Sequence, residues 1–226
     1  RMKWLYLIAI IGASALVADG VITPSLTVMA SIEGLKQIKG LELGINPILA
    51  ITTIILVVIF VIQQFGTSFI GKFFGPIMVI WFLFLGIMGI INLQYHPEIL
   101  KSFNPYYAYK LIVNSPKALW ILGAVFLCTT GAEALYSDLG HCGAKNIRVS
   151  WFFVKVMLVL NYLGQGSWLL KNYEMVFTGT NPFFGMLPQF LIIPAVLLAT
   201  AAAIIASQAL ITGSFTIFSE AMSLNF

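Results

Sequence analysis

Long apolar runs separated by short polar stretches dominate the chain. Residues 47–62 contain no charge, and neither do residues 73–96. A helix needs about 20 apolar residues to cross a hydrocarbon core of about 30 Å, so runs of this length predict membrane-spanning helices. Six segments can be placed, at about 4–30, 47–65, 74–93, from near 118, 151–170 and 187–219. The fourth differs from the rest. Its uninterrupted apolar part, 118–128, is too short to span, and Thr129, Thr130 and Gly131 follow it before Glu133. Glycine permits non-helical backbone, and such backbone at membrane depth is tolerated where it lines a cavity or is buried in protein. The pattern predicts a helix broken near Gly131, with a second half over about 132–139. The long connection 94–116 holds His96-Pro97, Asn104-Pro105 and the tyrosines Tyr106, Tyr107 and Tyr109. It is predicted to lie at the membrane surface as short amphipathic pieces, where tyrosine is favoured.

Composition agrees with this pattern. The 226 residues are 60% hydrophobic and only 9% charged, against roughly 25% charged in soluble domains. That excludes a water-facing globular surface, and no soluble domain is expected. The net charge of +4 is spread along the chain, which speaks for membrane topology and against nucleic-acid binding. If Arg1 is cytoplasmic, the connections 66–72 and 139–150 are too. They hold Lys72, Lys145 and Arg148 and no acid, while the longer opposite loops mix lysines with Glu33, Glu42, Glu98 and Glu174. The density of basic residues favours this orientation. Arg1, Lys3 and the Ala13-Ser14-Ala15 triplet resemble a signal peptide, but the apolar run continues beyond them and further spans follow. Cys128 and Cys142 suggest no disulfide framework.

Two acids stand out. Asp19 lies deep in the first segment, and an uncompensated charge at membrane depth costs at least ~2.5 kcal/mol. It is a candidate cation ligand or proton carrier; the alternative is a structural acid at a helix break. Thr23, one turn on, shares its face and could add a hydroxyl ligand or simply pack. Pro24 removes the helical partner of the Gly20 carbonyl and is expected to bend the helix. Glu133 follows the proposed break, where the C-terminal carbonyls of the first half-helix would favour a cation. Thr130 could face the same cavity, and Asp138 is more readily a cap or gate. An all-oxygen set, Asp19, Thr23, Thr130 and Glu133, selects hard cations over soft metals. His96 and His141 sit in or beside polar loops, which disfavours a zinc site. Residues 66–72 fit G-x4-G-K, but Phe73 stands where a phosphate-binding loop needs Ser or Thr. Val17-Ala18-Asp19 lacks the glycines of intramembrane aspartyl proteases. Gly164 and Gly166 read as points of close helix approach.

Three stretches together resemble the KUP/HAK/KT family of potassium uptake transporters: ADGVITPSLTVMASIEGL (18–35), TGAEALYSDLGHCG (130–143) and YLGQGSWLL (162–170). FGTSFIGKFFGPIM (65–78) and QALITGSFTIFSEAMSLNF (208–226) look similar too. The resemblance implies an all-α membrane protein with part of the LeuT-like five-plus-five inverted-repeat fold of the amino acid–polyamine–cation superfamily. It implies K+ uptake coupled to H+, K+ and H+ as the partners besides the bilayer, no cofactor, and no enzymatic activity. The family's ion-site acid and hydroxyl fall on Asp19 and Thr23, and its Thr-Gly-Ala-Glu falls on Thr130 to Glu133. The chain would cover spans three to eight of about twelve. The family's first-span GDIGTSPLY-type motif is missing, so a central fragment of a longer protein is expected, in a bacterial inner membrane, with a homodimer possible. Two other readings stay open at this point: an amino acid or polyamine transporter of the same fold, and a membrane enzyme or non-transporting subunit. The enzyme would need a nucleophile–base pair or metal cluster, and the sequence offers neither.

Overall fold

The described part of each of the six apolar segments falls on a helix. A computed structural model of the chain describes residues 3–38, 40, 43–63, 71–128, 144–172 and 181–223, and these are helical throughout apart from turns and short connections. Helix α1 spans Lys3–Ile32 and runs into a 3-10 turn, Glu33–Gln37. Helices α2 (Ile45–Gln63) and α3 (Gly71–Leu93) follow. A second 3-10 stretch (Pro97–Phe103) leads to α4 (Pro105–Asn114) and α5 (Ala118–Cys128). Then come α6 (Ala144–Lys171), the single turn α7 (Pro182–Gly185) and α8 (Gln189–Ser223). Four stretches among the described residues are long and apolar enough to cross a membrane: Ile10–Gln37, Phe73–Leu93, Lys145–Lys171 and Gln189–Thr216. The chain is an all-α membrane protein.

The loop 94–116 resolves into two pieces for local reasons. Pro97 and Pro105 each open a helical turn, where a missing N–H does no harm. Asn104 caps α4, its side-chain oxygen accepting from the Tyr106 N–H at 3.0 Å. Every residue of α4 is exposed.

Residues 1–81 and 187–226 form one compact unit, and residues 82–186 form another. In the first, α1 and α8 pack antiparallel along much of their length. Gly20 lies against Ser214. Thr200 donates to the Ser31 hydroxyl at 3.2 Å, and Gln189 donates to the Gln37 carbonyl at 3.2 Å. Helix α2 joins through an apolar cluster of Val28, Ile59, Ala203 and Ile211. The Gln208 amide adds a bond to the Ile59 carbonyl, 3.2 Å away.

In the second unit, α6 packs on the C-terminal half of α3 with backbone against backbone. A Cβ placed on Gly89 would come within 2.3 Å of the Leu160 carbonyl oxygen, and one on Gly164 within 2.5 Å of Gly89. Only glycine permits that approach, as expected for Gly164. Where α3 ends, the buried Ser167 hydroxyl donates to the Asn92 carbonyl and accepts from the His96 N–H, both at 2.9 Å. Lys171, in the last turn of α6, lies 3.8 Å from the centroid of the Tyr95 ring.

Candidate ion site on the first helix

Asp19 sits mid-way along a helix of 30 residues, about 24 Å from its first residue at 1.5 Å per residue. That depth follows from the apolar residues on both sides of it. Thr23, four residues on, donates its hydroxyl to Asp19 Oδ1, and both side chains are half-buried. The two residues therefore share one face, as their spacing predicts. Among the described residues the ion pairs are Lys36–Glu33 at 3.1 Å and Lys101–Glu98 at 3.6 Å, and neither involves Asp19. A carboxylate with a hydroxyl beside it and no basic partner is suited to a cation or a proton.

The backbone beside Asp19 adds to this. Pro24 is fully buried and has no N–H, so the Gly20 carbonyl lacks its usual helical partner. The helix nonetheless continues through Pro24 to Ile32. Gly20 is buried against Ser214 of α8, whose oxygen would lie 2.3 Å from a Cβ at that position. Beyond Thr23 the same face continues in oxygen. Thr27 donates to the Thr23 carbonyl at 2.8 Å, and Ser31 donates to the Val28 carbonyl at 2.7 Å. Asp19, Thr23, Thr27 and Ser31 thus recur every four residues along a seam of α1. On α8, Gln208 is 4% exposed, and its Oε1 accepts no hydrogen bond among the described residues.

The other half of the expected site, Thr130 and Glu133, lies outside the described residues, together with the break near Gly131, Asp138, His141 and Cys142. The structure brings Asp19 and Thr23 together and does not describe their distance to that half. Ser214 and Gln208 were missed in the sequence. Their signal was weak: polar residues on an apolar helix whose partners depend on the tertiary register. Thr27 and Ser31 could have been found from the four-residue period. Among the described residues no group of three His, Cys, Asp or Glu side chains could hold a metal ion.

Four stretches long and apolar enough to span, one of them with an acid mid-way along its helix, define an integral membrane protein. A family model described as "K+ potassium transporter integral membrane domain" matches residues 1–226, and the chain belongs to this family, which is one of transporters and not of enzymes. A protein of Flavobacterium psychrophilum named "Probable potassium transport system protein Kup" is 51% identical over 231 residues, covering 100% of this chain and 35% of the relative. A Lactococcus lactis subsp. lactis protein named "Probable potassium transport system protein Kup 1" is 55% identical over 228 residues, 98% of this chain and 34% of the relative. A Streptococcus agalactiae protein bearing the first of these names is 52% identical over 226 residues, again 98% and 34%. The chain spans about a third of the length of the curated relatives it matches. No solved structure matches it.

Proposed function

We propose that the chain forms the central part of a K+ uptake transporter that couples K+ to H+ and works by alternating access. The observation that supports this best is Asp19: a carboxylate deep in a span, hydrogen-bonded by Thr23, with no basic partner among the described residues. K+ sheds its water and binds near the membrane midplane between Asp19, Thr23, Thr130 and Glu133. Carboxylate and hydroxyl oxygens suit a hard monovalent cation and offer nothing to a soft metal. One of the two acids exchanges a proton as helices rock and open the site to the other side. In sequence, Thr129, Thr130 and Gly131 follow the 11-residue apolar run of α5, the pattern expected of a discontinuous span in a LeuT-like inverted-repeat fold in which this chain supplies spans three to eight. The membrane is a bacterial inner membrane, in keeping with the bacterial relatives.

The full-length parent of this sequence, expressed in cells that lack K+ uptake systems, tests the reading through growth at limiting K+ and through Rb+ influx. Asp19→Asn and Glu133→Gln abolish influx while the protein remains in the membrane. Excess amino acid or polyamine leaves wild-type influx unchanged. Normal influx in both variants would sink the site assignment, and competition by a polyamine would favour the organic-cation alternative.

A further inference from the structure

Helix α6 has four charged residues, Lys145, Arg148, Lys155 and Lys171, and no acid. Lys171 is accounted for by the Tyr95 ring. The other three are exposed, and neither ion pair among the described residues involves them. Arg148 and Lys155 are seven residues apart, which places them within about 20° of one another around the helix. Trp151 and Phe152 lie between them, 40% and 72% exposed. Lys155 is about 16 Å along the helix from Ala144, deep for an exposed ammonium group on a stretch long and apolar enough to span. Its side chain resolves this by leaning back toward the helix N-terminus, as helical side chains do. Its Nζ lies 4.9 Å from the centroid of the Trp151 ring. The charge is thus raised one turn, to the level of an aromatic residue of the kind that marks the membrane interface.

We propose that this face of α6 binds the phosphate of an anionic phospholipid in the leaflet on the side of the 139–150 connection. Arg148 and Lys145 meet the headgroup phosphate from the water side. Lys155 reaches the same headgroup from below, beside Trp151, and Phe152 packs on the acyl chain. Charge selects the ligand: three cations without an acid complement an anionic headgroup and gain nothing from a zwitterionic one. The cytoplasmic leaflet is the anionic one, and the basic-residue density of the connections favours that side for this end of α6.

The test uses the full-length protein in mixed micelles titrated with phosphatidylglycerol or phosphatidylcholine, with retained lipid measured by native mass spectrometry. The wild type retains phosphatidylglycerol in preference to phosphatidylcholine. The double variant Arg148→Gln, Lys155→Gln lowers that preference roughly 30-fold. The charge-keeping pair Arg148→Lys, Lys155→Arg retains it, and so does a Lys101→Gln, Lys110→Gln control. Inorganic phosphate at millimolar concentration does not displace the lipid, because the acyl chain is part of the contact; displacement would mean an anion site in place of a lipid site and would overturn the proposal. Equal retention of both lipids by the wild type would overturn it too, as would unchanged retention in the neutral double variant. If that variant does not fold, the wild type decides alone: its preference must fall with added salt, and a salt-independent preference refutes the site.

Discussion

Replacing Thr23 by Val would leave the volume of the side chain almost unchanged and remove the hydroxyl that Asp19 accepts from. A hydrogen bond to a charged group contributes about 1.5–3 kcal/mol, so the KM for Rb+ should rise about tenfold or more in the full-length protein. Thr23→Ser restores the hydroxyl and should restore most of the affinity. An equal loss in both variants, or a fall in membrane abundance alone, would mean that Thr23 only packs. Asp19 itself stood out in the sequence because one charge in a long apolar run is costly at membrane depth. Thr23 was legible because four residues make one turn. Ser214 was not, because what it touches is decided by how α8 slides along α1. No property of residues 208–226 alone states that Ser214 lands on Gly20. Thr130 and Glu133 rest on the sequence and the family resemblance.

The helices themselves were read from apolar runs, and the run at 118–128 is helical throughout as α5. Which helix packs on which was not readable. A soluble helix shows its buried side as an apolar stripe, but a helix in lipid is apolar all round, so the stripe vanishes. Thr200 and Ser31 meet although they are 169 residues apart, and only the polar and small residues at the seam hint at it. Glycine is the better guide, because backbone contact excludes every side chain. Gly89→Leu would drive its Cβ into the Leu160 carbonyl, which is backbone and cannot rotate away. The variant should lower the Tm of the purified full-length protein markedly, whereas Gly123→Leu, whose Cβ would meet nothing within 4 Å among the described residues, should not. Ser167→Ala is milder in volume but orphans the His96 N–H it accepts from. A buried unpaired polar group costs about 1–3 kcal/mol, so a smaller but measurable drop in Tm is expected. No drop would mean that water replaces the hydroxyl.

For the whole transporter, the coupling proposed for Asp19 and Glu133 sets a ceiling on accumulation. Moving one charge across 100 mV is worth about 2.3 kcal/mol, and every 1.4 kcal/mol is tenfold. A K+ carried alone therefore stops at roughly 50-fold accumulation. One K+ carried with one H+ moves two charges, about 4.6 kcal/mol, which allows roughly 2,000-fold. Full-length protein in sealed liposomes, inside negative by 100 mV with equal pH on both sides, separates the two by the plateau of Rb+ uptake. A second arm removes any doubt from leak. Making the lumen one pH unit more alkaline adds about 1.36 kcal/mol to an inward proton and so raises the symporter's plateau about tenfold. It leaves the plateau of a K+-only carrier where it was. A plateau near 50-fold that ignores the pH step would refute proton coupling, yet it would leave the K+ site intact, because Asp19 and Glu133 would then act only as ligands. A plateau that follows the pH step in the wild type, and is lost together with that response in a variant of one acid that still exchanges Rb+ for Rb+, would assign the proton to that acid.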